Sequence, residues 1–330
     1  MKKAILFVTT VFILAGMMAI AVKTNQAAGD TSDTSIQADT TESSETIASS
    51  SADSASTRTQ STVKKVQIYV DPALYDVTVE SENDYVQVYQ TVECSNVVGK
   101  VHRGSWADYV SETDTLIQIK TDDGLNGYIP KANGEISEVQ VNDAPQSLSD
   151  FKIVLDAGHG GEDSGALSTD GTIMEKNLTL ATVLTIGQTL QDAGVQVSYT
   201  RTKDEYLALA DIAAISLADA PDLFLSIHYD NYNYPNGNHG FTVYYYYPTY
   251  ETTATKIATN LTAQIDLANN GPRFGNYFVI REQYVPSILI ELGYLNSDYD
   301  LSIITEDGYA EKVAASLLDT LKEIVAENQP

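Results

Sequence analysis

The sequence predicts an α/β domain with a mostly parallel sheet over residues 151–330, preceded by a small all-β domain over 63–141. Three observations predict it. From Phe151 onward, short apolar runs alternate with longer segments of helical period, which is the signature of βα units. Between Val63 and Val141 the runs are short and alternate apolar with polar, broken by turn residues such as Asp122-Asp123-Gly124 and Asn126-Gly127. The chain of 330 residues is also long enough for two modest domains at ~150 residues each.

The elements follow in chain order. Met1-Lys2-Lys3 and the apolar run Ala4 to Val22 read as an export signal over 1–28, either a cleaved signal peptide or an N-terminal membrane anchor. Lys2 and Lys3 hold the start in the cytoplasm, so both alternatives place the rest outside. Residues 29–62 are nearly all Ser, Thr, Asp, Glu, Ala and Gln, too polar to offset the entropy of ordering, and are expected to be a flexible linker. Strands are expected at Val66–Val70, Tyr85–Tyr89 and Leu116–Lys120, and a short linker at 142–150. Ile153-Val154-Leu155, Val195–Tyr199, Leu223–Ile227, Phe241–Tyr247 and Ile288-Leu289-Ile290 read as strands of the second domain. Helices are expected at Asn177–Ala193, Leu207–Ala218, Ala254–Ile265 and Val313–Ile324.

Composition narrows the function. A formal net charge of -26 repels phosphate backbones, so nucleic-acid partners are set aside. The single cysteine, Cys94, excludes an internal disulfide and a Cys-ligated metal site, and reads as a packed small residue.

Three polar residues are expected just past the C-terminal ends of buried strands: His159 after Leu155-Asp156, His228 after Ser226-Ile227, and Glu291 after Ile290. Ligands bind at that edge of open α/β sheets, so residues distant in sequence can converge there. Glu175 opens the helix after a long loop that can return to the same edge. Two imidazoles and a carboxylate form a zinc set with a fourth position left for water. Each piece alone is weak: a lone His past a strand is more often a satisfied polar group, and a Glu opening a helix usually serves its dipole.

Together the pieces acquire a resemblance. Leu155-Asp156-Ala157-Gly158-His159-Gly160-Gly161, Asp163, Gly165-Ala166, Glu175-Lys176-Asn177-Leu178, Thr200-Arg201, Ser226-Ile227-His228, Arg281, Pro286 and Ile290-Glu291-Leu292-Gly293 resemble the zinc-dependent N-acetylmuramoyl-L-alanine amidases of the type-3 family, in order across 151–325. The resemblance implies a zinc-exopeptidase-like fold, a twisted, mostly parallel sheet sandwiched by helices, and one Zn2+ per chain on His159, Glu175 and His228. It implies Glu291 as the catalytic carboxylate and peptidoglycan as the substrate, cut between N-acetylmuramic acid and L-alanine. A zinc carboxypeptidase or endopeptidase of stem peptides would present the same site, and an inactive wall-binding protein is the third reading. The stretch Val97 to Gly104 with Gly127-Tyr128-Ile129 resembles bacterial SH3-like domains, whose members bind cell-wall peptides. A monomer acting outside the cytoplasm, secreted or held at the wall or membrane, is expected.

Other assignments stay open at this level. Arg281 is a candidate contact to the oxyanion or substrate, or a structural ion pair. Asp156 is a candidate for orienting His159, or for capping its loop. Trp106 and His102 are candidates for a surface groove, with packing the commoner role of a Trp. The family often carries Asn where this chain has Asp230, and an Arg near Ile212; His239 reads as a surface loop residue. Tyr244-Tyr245-Tyr246-Tyr247 is expected to divide between core and edge packing rather than sugar stacking.

Overall fold

A computed structural model describes residues 58–71, 73 and 80–329. The expected export signal and most of the 29–62 linker lie outside the described residues. Among those described, no helix is long and apolar enough to cross a membrane.

Seven strands build the first domain: β1 Gln60–Ile68, β2 Tyr85–Tyr89, β3 Val97–His102, β4 Trp106–Glu112, β5 Leu116–Lys120, β6 Asn126–Pro130 and β7 Gly134–Asn142. All pairings are antiparallel, in the order β3-β2-β6-β5-β4-β1-β7. Alternate residues such as Val66, Ile68, Val88, Ile117, Ile119 and Ile129 point inward and make the core. β1 begins at Gln60, inside the stretch expected to be linker. Its first residues are exposed and polar, but their backbone pairs with β7 from Gln60↔Asn142 onward, and such pairing needs no apolar side chain.

The second domain holds β8 Lys152–Ala157, α1 Glu175–Asp192, β9 Gln196–Tyr199, α2 Leu209–Asp219, β10 Leu223–Asp230, β11 Phe241–Tyr245, α3 Glu251–Gln264, β12 Asn269–Phe274, α4 Phe278–Arg281, β13 Ser287–Tyr294, α5 Asp298–Ile304 and α6 Tyr309–Glu327. The sheet order is β12-β11-β13-β10-β8-β9, and every neighbouring pair is parallel except β11 with β13. Helices α1, α3 and α6 cover one face over Ile153, Leu155, Leu225, Ile227, Ile288 and Ile290. Helices α2 and α4 cover the other over Val154, Phe224 and Leu289. Burial on both faces is why the central strands read as unbroken apolar runs. The sequence analysis did not anticipate β12, α4 or α5. β12 is a sheet edge carrying Gly271 and Pro272, and edge strands tolerate Pro because one side of the backbone is unpaired.

The domains are joined by specific contacts. The Trp106 backbone N–H donates to the Tyr247 hydroxyl at 2.8 Å, and that hydroxyl donates to the Arg281 carbonyl at 2.7 Å. Arg58 forms a two-pronged ion pair with Asp222, at 2.5 and 2.6 Å. His102 and Trp106 are 5% and 8% exposed and line a groove at the seam with the second domain. The Trp106 ring meets Tyr284 edge-on at 5.3 Å.

Candidate active site

The site grows from the C-terminal end of β8. Just beyond it His159 has φ 64, a left-handed conformation uncommon for a non-glycine residue. Two nearby glycines make room for the side chains around it. A Cβ on Gly158 would lie 2.2 Å from the His228 ring, and one on Gly165 would lie 2.5 Å from the Glu175 carboxylate. His228 and Glu291 do not lie past strand ends as expected. Both sit inside β10 and β13, which run on to Asp230 and Tyr294, and the register pairs them directly.

Glu175, the first residue of α1, is the hub. Its Oε2 lies 3.0 Å from His159 Nε2, and its Oε1 lies 2.9 Å from His228 Nδ1. The backbone N–H groups of Ala166 and Tyr229 donate to the same carboxylate at 2.8 and 2.9 Å. Ligand atoms of His159, Glu175 and His228 all lie within 4.8 Å of one another. Two nitrogen donors and a carboxylate held this close fit a zinc ion.

The electrostatics follow from that hub. Burial alone would lower the histidines, but hydrogen bonding to Glu175 and its charge push His228 up to about 9 and raise His159. Burial would raise Glu175, yet its hydrogen bonds to the two imidazoles hold it well below the usual carboxylate range. Glu291 is pushed up to about 8, chiefly by burial and further by Glu175 and Asp230, against the pull of His228. Its Oε2 is buried without a hydrogen-bond partner. An unpaired buried acceptor beside three groups that could hold a metal calls for a partner from outside the protein. These groups open into a cleft of about 730 Å³.

Residues 153–323 match the family of N-acetylmuramoyl-L-alanine amidases. The chain belongs to that family. Its catalytic domain is a peptidoglycan amidase domain. A probable cell wall amidase LytH from Staphylococcus epidermidis is 37% identical over 186 residues, spanning 54% of this chain and 62% of that protein. The Staphylococcus aureus protein of the same name is 32% identical over 231 residues, spanning 68% of this chain and 77% of its own. A match that long cannot fit within 151–330, so it reaches into the β-domain. The catalytic domain of CwlV, an N-acetylmuramoyl-L-alanine amidase from Bacillus (Paenibacillus) polymyxa var. colistinus, superposes with a TM-score of 0.51 at 28% identity, over 53% of this chain and 98% of that one.

Two sequence-predicted residues of the amidase domain fall elsewhere. Asp156 does not touch His159. Its two oxygens accept from Thr200 at 2.7 Å and Ser226 at 2.6 Å, bracing three adjacent strands. The carboxylate on His159 Nδ1 is Asp163, at 2.8 Å. Two signals could have found it: Asp163 stands four residues after His159, within reach across a tight loop, and it belongs to the same motif. Arg281, unlike Asp156, does not line the cleft. It is 4% exposed and donates to Asn276 at 2.8 Å and Glu282 at 3.1 Å. Of its two open roles, the structural one is observed.

The amidase domain also uses a residue that sequence reading left without a task. Arg201, 2% exposed, donates to the carbonyls of Ala157 at 2.8 Å, and of Gly158 and Lys176 at 3.0 Å each. It ties the end of β8 to the first turn of α1 and so fixes His159 against Glu175. Asp230 and Ile212 both line the cleft. Among the described residues lining it, none is Lys or Arg. His239 is exposed, away from the site.

Proposed function

We propose that the chain is a zinc-dependent amidase acting outside the cytoplasmic membrane, with His159, Glu175 and His228 holding one zinc ion and Glu291 serving as general base. One observation carries this reading: a single buried carboxylate joins two imidazoles while a second, unpaired carboxylate stands in register beside them. Bound there, zinc supplies Lewis acidity and lowers the pKa of a bound water to about 7.

The chain's own residues supply the rest. Asp163 accepts a hydrogen bond from the Nδ1–H of His159, which leaves the Nε2 lone pair facing the cluster. Glu291 accepts the proton of the attacking water and delivers it to the leaving nitrogen. A cation among the ligands favours ionised Glu291 over the neutral acid that burial promotes. Among the described residues lining the cleft, no Lys or Arg stands ready for charge developing on the substrate carbonyl.

The bond cut is the amide between the lactyl carboxyl of N-acetylmuramic acid and the first L-alanine. The β-domain acts as an SH3-like wall-binding module, the N-terminal segment exports or anchors a monomer, and the relatives named cell wall amidases support that location. Digesting peptidoglycan and labelling new amino termini tests the reading. The label belongs on L-alanine of intact stem peptides. Label on single amino acids from the far end, or new reducing sugar ends, refutes it.

A further inference from the structure

The tyrosine run on β11 leads from the catalytic centre to the domain seam. Thr242 pairs with Glu291 and Tyr244 with Leu289, so Thr242, Tyr244 and Tyr246 follow the face that carries Glu291. Tyr244 meets Tyr277 edge-on at 5.0 Å, and Tyr246 meets Phe274 at 5.5 Å. Tyr277 and Phe274 are 39% and 60% exposed, so this aromatic row offers ring faces to solvent. From Thr242 to Tyr245, the end of β11, the strand advances about 10 Å, and Tyr246 follows directly.

The row ends in a cleft of about 210 Å³ between the domains. Tyr85, His102 and Trp106 line it from the β-domain, and Tyr246, Phe274 and Asn276 from the amidase domain. The cleft is continuous in sequence with the active site, since Asn276 precedes Tyr277, which lines the catalytic cleft. Its charge selects the occupant. Asp122 and Asp123 stand at its rim. Lys100 is already paired with Glu82 at 3.1 Å and lies over the Tyr85 ring at 3.9 Å. A free stem peptide brings carboxylates that this acidic rim repels. An N-acetyl sugar is neutral, with apolar ring faces for the aromatics.

We propose that this interdomain cleft binds the glycan strand whose stem peptide enters the catalytic site, so that substrate spans both domains. This rests on the amidase reading for the identity of the strand, but the cleft can be probed without turnover. Trp106 is the only tryptophan of the chain, so emission from the purified full-length protein reports on the cleft directly. Tri-N-acetylchitotriose, a neutral glycan with no peptide and no scissile amide, should change that emission saturably. Phe274→Ala, at an exposed position, should weaken this binding. It should also raise KM on glycan strands bearing stem peptides about tenfold more than KM on N-acetylmuramoyl-L-alanyl-D-isoglutamine, which has one sugar.

No emission change at millimolar chitotriose, a change untouched by Phe274→Ala, or an equal KM rise on both substrates overturns the proposal. So does a change evoked by free stem peptide and not by chitotriose. Wild-type protein that frees no alanine amine from either substrate strikes at the amidase reading instead, and the emission titration still decides about the cleft.

Discussion

His228 and Glu291 stand side by side in the sheet, as register partners on the parallel strands β10 and β13. Neighbouring strands lie about 4.8 Å apart, and their spacing is held by backbone hydrogen bonds rather than by side chains. The pair therefore keeps its separation even if a loop around it moves. His159 is different, since it stands on a loop and depends on Asp163, Glu175 and Arg201 for its place.

Glu291→Gln is expected to retain zinc and lose about 10²–10⁴-fold in kcat, because an amide cannot accept the water's proton. Elemental analysis beside a turnover assay checks both halves. Near-normal turnover removes Glu291 from the mechanism.

Gly158→Ala should behave like His228→Ala. The new methyl would lie 2.2–2.6 Å from three atoms of the His228 ring, so the imidazole must leave its position. Both variants are expected to hold well under one zinc per chain and to be inactive. A Gly158→Ala protein with full metal content and activity contradicts the packing described here.

Asp163→Ala and Asp156→Ala should separate two roles. The first removes the partner of His159 and should weaken zinc binding by about 10–100-fold with little loss of stability. The second leaves the Thr200 and Ser226 hydroxyls without their acceptor, and should cost about 1.5–3 kcal/mol of stability. Chelator competition and urea unfolding measure the two effects, and the reverse pattern would restore Asp156 as the orienting group.

The metal-free protein should lose stability as pH rises from about 6.5 to about 9. Burial would lower the pKa of His228, but Glu175 raises it from 6.5 to about 9, so the folded state binds the proton more tightly than the unfolded chain. That stabilisation is complete below the lower value and lost through the upper one. Zinc takes the proton's place, so the loaded protein should show a flatter profile, and zinc binding at neutral pH should release protons. Unfolding midpoints with and without chelator test the first part. Calorimetry in buffers of different ionisation heat tests the second, and no buffer dependence would contradict it.

The sequence by itself determined the two-domain order, the α/β alternation, and the candidates His159, Glu175, His228 and Glu291. Apolar periodicity is a local property, and the catalytic motifs are contiguous, so both can be read along the chain. Tertiary structure alone decided which carboxylate serves His159. Asp156 is nearer the β8 core in sequence terms, but strand pleating turns it toward Thr200 and Ser226, and the loop brings Asp163 round instead. It also decided that Arg281 braces Asn276 and Glu282 outside the cleft. The domain seam was equally hidden, because contacts such as Trp106 to Tyr247 join residues 141 positions apart and leave no periodic trace in the chain.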